Sequence, residues 1–499
     1  MNIPKQTILI MTDTQRWDML GCYGNADMKT PQLDRMAAEG MRFDQAYTCQ
    51  PVCGPARSAL FTGTYPHSNG GWGNTMPIGD TVKTIGQRLK KAGVHAGYIG
   101  KWHVDGGDYF GMGRFPEGWD PDYWYDMKTY LEELTDEERV FSRDPSSMRN
   151  PGVEREFTFA HRCSNRAIEF LRKHKDESYL LVVSYDEPHH PYLCPPPFDS
   201  LYNDYAWPKP ENADDDLKDK PEHHKIWAES CGYGKGCFKP GAVADWLNCN
   251  SFVDDEIGRV LDAVDAHAEN ALVVYTSDHG DMSGSHGIVN KGAVMYEENI
   301  RIPLIARWKG VIPGGTVYPH PVSHIDLVPT FLERAGVPLS PLLDGKSMLP
   351  ALREPETRIN DAVFIEFGRY EIDHDGFGGF QPIRCAFDGR YKLVINLLTS
   401  DELYDVKEDP GEMVNLIHSD EHAEIRNRLH DRLLDWMNDT RDAFRGYYWE
   451  RRPWRTDARK ATWDYTAMTR QRIDDDFEPR QLDYDTGLPI TKAVRPKKI

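Results

Sequence analysis

Four apolar runs in this chain each end on side chains able to hold a cation or move a proton. "TILIMT" (7–12) runs into Asp13, and "AGYIG" (96–100) into Lys101 and His103. "YLLVVSYDEP" (179–188) runs into His189 and His190, and "ALVVYTS" (271–277) into Asp278, His279 and Asp281. A single Asp or His after a strand is usually a turn residue or a helix cap, but four such ends together are hard to account for as turns. Asp13, Asp278 and His279 are oxygen and imidazole donors with no thiolate motif around them, a set that suits Ca2+ or Mg2+ better than Zn2+. A fifth stretch, "PVCGPARSALFTG" (51–63), places Cys53 before a Gly-Pro turn at the head of a short apolar helix. Arg57 follows one helical turn later on the same face. Taken alone, the stretch reads either as a buried thiol with an arginine over the turn or as a reactive residue at a helix start.

The elements that would position these residues can also be read. Strand-length apolar runs lie at 7–11, 95–100, 179–185, 271–277 and 303–307. Amphipathic runs of helix length separate them, including "TPQLDRMAAEG", "TVKTIGQRLKKAG", "FTFAHRCSNRAIEFLRKH", "DWLNCNSFVDDEIGRVLDAVDAH" and "HIDLVPTFLERAG". This alternation predicts an α/β fold, a doubly wound and mainly parallel sheet flanked by helices. In such sheets ligands bind beyond the carboxyl ends of the strands, where all the residues above would lie. A chain of 499 residues exceeds one ordinary core and suits a large domain with a smaller companion. The expected division is a large domain over 1–355, an α+β subdomain with a short antiparallel sheet over 356–445, and an aromatic and basic tail over 446–499 packed on the large domain. The predicted subdomain strands lie in "DAVFIEFGRY", "IRCAFDGRYKLVIN" and "DELYDV", with an amphipathic helix near 420–438.

The formal charge of −20 argues against a nucleic-acid or anionic-membrane partner, since both need basic surfaces. An anionic substrate would have to be attracted locally, by a metal ion and a few converging Lys and Arg. The first fifteen residues contain no signal-type apolar core and no stretch approaches a membrane span, so the expectation is a cytoplasmic protein, or a periplasmic or secreted one if a leader has been removed. Nine cysteines form an odd set in a chain too large to need staples, which favours free thiols. "CGYGKGC" (231–237) could be a local disulfide or half a metal site, but with no second pair at zinc spacing a plain loop is the better reading.

Together these residues make the chain resemble the type I, formylglycine-dependent sulfatases of the alkaline-phosphatase-like superfamily. The defining Cys-x-Pro-x-Arg followed by Thr-Gly stands as Cys53-Gly54-Pro55-Ala56-Arg57 with Thr62-Gly63. "GYIGKWH" (97–103), "PHHP" (188–191), "SDHGDMSGSHG" (277–287), "KGAVMYEENIRIPLI" (291–305) and "ELYDVKEDPGEMVNL" (402–416) follow in order. The resemblance covers nearly the whole chain. It implies that a separate formylglycine-generating enzyme oxidises Cys53 to an aldehyde whose hydrate attacks sulfur, while the second hydroxyl of that hydrate later expels sulfate. It further implies that Asp13, Asp278, His279 and Cys53 hold a divalent cation, Ca2+ before Mg2+, and that Arg57 holds the hydrate. Lys101 and Lys291 would clamp sulfate oxygens, His103 would take the proton of the second hydroxyl, and His189 would protonate the leaving oxygen.

Two features depart from the family pattern. Asp13-Thr14-Gln15 stands where many sulfatases pair aspartates, so Thr14, Gln15 or a water would complete the metal shell. His190 is an extra histidine that either touches substrate or caps the loop. The substrate-side expectations are a pocket wall containing His67, Trp72 and Asn74, although Trp72 also reads as a packing residue. Arg384 and the loop 371–381 would reach toward the same pocket, and the tail segment 446–465 reads either as a sugar platform or as a strap. The similarity is greatest to bacterial glycan exo-sulfatases, including uronate 2-O-sulfatases. It implies a sulfated oligosaccharide substrate with 2-O-sulfated hexuronate favoured. The alternatives are 6-O-sulfated N-acetylglucosamine or another glycan or aryl sulfate, a phosphonate monoester or phosphodiester hydrolase of the same fold, or a glycan-binding protein whose cysteine is never oxidised.

Overall fold

A computed structural model describes residues 4–106, 109–112, 115–144, 153–206, 208–232, 240–371, 379–457 and 486–488, with side chains of the helix start at 240–242 left aside. The large sheet contains β1 (Gln6–Thr12), β2 (Met41–Phe43), β3 (His95–Gly100), β4 (Tyr179–Ser184), β5 (Leu272–Ser277), β6 (Leu304–Trp308) and β7 (Thr316–Tyr318). Their spatial order is β3-β4-β1-β5-β6-β2-β7. The four strands that carry the predicted site residues, β3, β4, β1 and β5, run parallel; β6 is antiparallel to both of its neighbours, so the sheet is mixed but mostly parallel.

Helices cover both faces, because every residue of β1 is buried and alternate side chains must find opposite cores. Ile8 and Ile10 pack into a cluster with α1 (Pro31–Ala38), the helix Phe159–Lys173 and the helix Pro240–His267. Leu9 and Met11 pack into another with α2 (Cys53–Thr62), α3 (Ile85–Lys91) and the helix Leu327–Ala335. Each fully buried Leu, Ile or Phe in these layers contributes about 1.5–3 kcal/mol.

A second, antiparallel sheet follows, formed by β8 (Val363–Phe367), β9 (Ile383–Phe387), β10 (Tyr391–Asn396) and β11 (Glu402–Asp405) in sequential order. The helix Ala423–Asp439 lies on it through Leu429, Leu433 and Met437, and the same cluster takes in Ala59 of α2 and Tyr65. Residues 446–457 of the tail join there. Trp449 and Trp454 are buried in that cluster, and Asp401 accepts from Arg452 and from the indole of Trp454. The described start of the tail therefore packs on the second sheet. The rest of the predicted tail except 486–488, residues 233–237 of "CGYGKGC", and 372–378 of the loop at 371–381 lie outside the described residues. Among the described residues, no helix is long and apolar enough to cross a membrane.

Candidate active site

Strand register brings the site together. Gly100 pairs with Ser184, Ser184 with Met11, and Thr12 with Ser277. The residues that leave these strands, Lys101, Asp13 and Asp278, with Asp186 two residues beyond β4, therefore emerge on one edge. Gly100 makes the first of these exits possible: its φ is +120°, and a Cβ there would lie 1.8 Å from the Ser184 carbonyl oxygen. The next amide, Lys101 N, donates to that same oxygen at 2.8 Å.

The helix α2 supplies Cys53 and Arg57. Val52 enters in extended conformation, Cys53 is the first helical residue, and Gly63 closes the helix in the left-handed region, its N–H donating to Ala59 O at 2.9 Å. All ten residues are buried, as expected of a helix enclosed on every side. The Gly54 N–H, free at a helix start, donates to Asn74 Oδ1 at 2.9 Å. One turn on, the fully buried Arg57 bridges two carboxylates, its Nε to Asp278 and its Nη2 to Asp13, each at 3.0 Å. Its Nη1 donates to the Lys101 carbonyl and to Ser184 Oγ.

Asp13, Cys53, Asp278 and His279 offer one ligand atom apiece within 4.8 Å of one another, all buried. His279 Nδ1 faces the Gly280 carbonyl at 2.8 Å and must carry the proton, which leaves Nε2 as a lone pair 3.1 Å from Cys53 Sγ. Burial pushes the Cys53 thiol up to about 12, with Asp13 adding to the effect. Burial also opposes ionisation of Asp13, but Lys101, His189 and Arg57 outweigh it and hold that carboxyl well below the usual range. Burial and the charge on Asp13 push Asp278 up. A pair of buried carboxylates that resist ionising together, beside a neutral imidazole lone pair, fits a hard divalent cation.

Thr14, held at a φ of +59°, donates its hydroxyl to Asp13 at 2.7 Å and its N–H to Asp278. The side-chain oxygen of Gln15 is instead taken by the hydroxyls of Tyr275 and Thr12, and its nitrogen donates to Asn250. Gln15 is thus directed away from the cluster.

Two lysines and two histidines border it. Lys101 is wholly buried, with Nζ at 2.8 Å from Asp13 and 3.0 Å from Asp186, and it lies over the Tyr109 ring at 3.9 Å. Lys291 Nζ donates to His189 Nε2 at 3.2 Å and reaches Thr14 Oγ1 at 3.5 Å. His189 Nδ1 faces the His190 carbonyl at 2.9 Å, and Tyr109 donates its hydroxyl to Asp186. Burial, then Lys291 and Lys101, hold His189 well below the ordinary imidazole range. Burial, then Lys101 and Arg57, do the same to His103, which sits at a φ of +55° with its buried Nδ1 lacking a partner among the described residues.

A cavity of about 290 Å³ opens over Cys53, lined by Asn74, Thr75, His103, Tyr109, Phe110, Arg143, His189, His190, Tyr370 and Glu371. Of the residues expected on the substrate side, Asn74 and His190 are therefore in its wall, and three are elsewhere. His67 is locked to Glu366 of β8 and to Thr440, with its ring against Tyr65 and Trp436. Arg384 is a buried partner of Asp442 and also donates to the Phe367 carbonyl. Trp72 packs edge-on against Phe380 and Phe444. His67 of the Gly-rich bend looks like a pocket residue by type, but its partners Glu366 and Thr440 belong to the second sheet and the helix on it, whereas Asn74 of the same bend faces α2. Conversely, Asp186 belongs to a strand end and could have been picked by the same rule as His189. Tyr109 and Arg143 follow no strand and carry no local signal.

Comparison with known proteins gives a consistent result. The sulfatase family model matches residues 5–337, and the N-sulphoglucosamine sulphohydrolase C-terminal model matches residues 284–439. The chain is 46% identical over 505 residues to the uncharacterized sulfatase YidJ of Escherichia coli (strain K12), covering 98% of this chain and 97% of that protein. It is 27% identical to an N-acetylglucosamine-6-O-sulfatase of Bacteroides thetaiotaomicron, over 87% of this chain and 86% of the relative. Among solved structures, BT4656 in complex with its substrate D-glucosamine-2-N,6-O-disulfate superposes with a TM-score of 0.73 at 24% identity, over 89% of this chain and 99% of that one.

Proposed function

The chain belongs to the sulfatase family of sulfuric ester hydrolases, and on that premise we propose that it releases inorganic sulfate from the end of a sulfated oligosaccharide, with Cys53 as the precursor of its formylglycine nucleophile. The observation that carries this reading is the placement of Cys53. It stands at a helix start, where backbone N–H groups favour negative charge, inside a buried four-donor cluster and beside two lysines. Asp13, Asp278, His279 and the modified Cys53 would hold Ca2+, or Mg2+ in its place, with Thr14 rather than Gln15 adjoining them. When bound, the cation supplies Lewis-acid polarisation of the sulfate oxygens.

The remaining roles follow from the chain's own side chains. Arg57 fixes the spacing of Asp13 and Asp278 and holds the nucleophile's position from the same helix face. Lys101 and Lys291 present ammonium groups to the non-bridging sulfate oxygens, where charge shifts in the transition state. His189 is the acid for the leaving sugar oxygen. An anionic ester seated between Lys101 and Lys291 would offset the two cations that depress its basicity, so substrate binding itself would favour the protonated ring. His103, held neutral by burial and the nearby Lys101 and Arg57 and lining the cavity beside Cys53, is the base.

The cavity is at the small end of the roughly 300–1,000 Å³ typical of ligand sites, which favours one terminal sugar over an internal polymer segment. Within that class we place 2-O-sulfated hexuronate first and 6-O-sulfated N-acetylglucosamine second. The test combines two measurements on protein from a host that oxidises Cys53. Sulfate release is expected from an unsaturated 2-O-sulfated disaccharide, to be lost on chelation and restored by Ca2+, and the Cys53 peptide is expected to be about 18 Da lighter than its unmodified form. Faster turnover of a phosphodiester than of any sulfate ester would overturn the reaction class. Turnover of the 6-O-sulfated sugar alone would overturn the favoured substrate, and full activity with unmodified Cys53 would overturn the nucleophile.

A further inference from the structure

Arg143 is a cavity-lining cation that the sulfate-binding set does not use. It is the last residue of the helix Asp136–Arg143 and lines the same cavity as Cys53, His189 and His190. The other arginines near this region are spent. Arg57 has no exposed side-chain surface and Arg384 only 2%, and both are committed to buried carboxylates. Arg143 is different: its side chain is 30% exposed, and among the described residues the nearest carboxylate is Asp186, 3.8 Å from its Nη1. That carboxylate is already engaged, because its other oxygen takes Lys101 Nζ at 3.0 Å and the Tyr109 hydroxyl.

The guanidinium is nonetheless held in place. It lies over the rings of Phe110 and Tyr109, at 5.2 and 5.5 Å from their centroids. Cation–π contact with two rings keeps the guanidinium in the cavity wall, and among the described residues no carboxylate comes nearer to it than Asp186, an arrangement suited to capture of an oxyanion. The reacting sulfate is already assigned Lys101 and Lys291, two buried lysines beside Cys53 that do not themselves line the cavity. A further cation in the wall of so small a cavity therefore has no role toward that group.

We propose that Arg143, oriented by Tyr109 and Phe110, forms a subsite for a second anionic group, a carboxylate or another sulfate, on the sugar that bears the reacting ester. This deepens the carbohydrate-sulfatase reading and rests on it for the identity of the reacting group. Glu371 and His190 in the same wall supply acceptors for the hydroxyls of that sugar.

The test compares Arg143→Gln and Arg143→Lys with the wild type on three esters: a 2-O-sulfated unsaturated hexuronate disaccharide, a disulfated glucosamine, and 6-O-sulfated N-acetylglucosamine, which has no second anion. Arg143→Gln is expected to lower kcat/KM for the doubly anionic esters about 10- to 100-fold, mainly through KM, and to change the singly anionic ester by less than about threefold. Arg143→Lys should retain part of the effect. The first two esters distinguish carboxylate from sulfate as the group bound. The same pairs are titrated by calorimetry against Cys53→Ala, with and without Arg143→Gln, so that the subsite is read as binding even if no sugar ester turns over and the functional reading fails. Equal losses on all three esters would make Arg143 a positioning residue for Asp186 and Tyr109 and overturn the proposal. Unchanged binding, or a wild-type preference for a cationic alcohol sulfate, would overturn it as well.

Discussion

Arg57 shows what one residue type at one position can do. Its guanidinium joins Asp13 to Asp278 and ties both to the Lys101 carbonyl and Ser184. No lysine can repeat this, because a point charge on a flexible stem cannot span two carboxylates in a fixed plane. Arg57→Ala would leave two buried carboxylates with one counter-charge fewer. We expect a loss of about 3–5 kcal/mol, read as a lowered denaturation midpoint in protein without added metal, together with loss of sulfate release. A stability change below about 1 kcal/mol would show that water or a cation replaces the arginine without cost. At this scale the sequence was informative about which residues meet, Cys53, Arg57, Asp13 and Asp278, since two follow strand ends and two stand one helical turn apart. It was uninformative about Arg143 and Tyr109, whose places depend on how a long connection folds back.

At the scale of elements, the four strands that carry the site were legible because they are six or seven residues long, have apolar centres, and are followed by polar residues of a restricted kind. β2 and β7, three residues each, are too short for periodicity to register, and the antiparallel direction of β6 leaves no mark in its composition. His67 was misplaced for a related reason. Its partner Glu366 is 299 positions away, and local spacing holds no trace of such a pairing. Element geometry also concentrates risk at Gly100. Gly100→Ala would force a Cβ against the Ser184 carbonyl in a region that side chains avoid, for about 1–3 kcal/mol of backbone strain before any clash. Because Lys101 follows directly, activity should fall further than stability accounts for. A variant with the wild-type denaturation midpoint and kcat would refute this role for the turn.

For the whole molecule, the large domain is fastened to the second sheet at two places. His67, after α2, meets Glu366 and Thr440, and Lys392 of β10 is buried between Glu297 and Glu412, while the Arg384–Asp442 pair lies within the second unit. Burial works against protonation of His67, but Glu366 and then Asp442 outweigh it, so its basicity is raised above that of an ordinary imidazole. The sign follows: this clamp adds stability that is complete below about pH 6.5, the unfolded value, and is lost as pH rises through the higher folded value. The difference in midpoint between wild type and His67→Gln should therefore be larger at pH 6 than at pH 9, and a difference that grows with pH would reverse the assignment. One consequence of this architecture reaches back before the finished molecule exists. Cys53 is 1% exposed, and all ten residues of its helix are buried. If Cys53 is the precursor proposed above, an enzyme that oxidises it has to reach the thiol before the chain closes around it. Conversion would then be a race between oxidation and folding, and variants that fold faster would carry a smaller share of modified Cys53, read from the mass of that peptide.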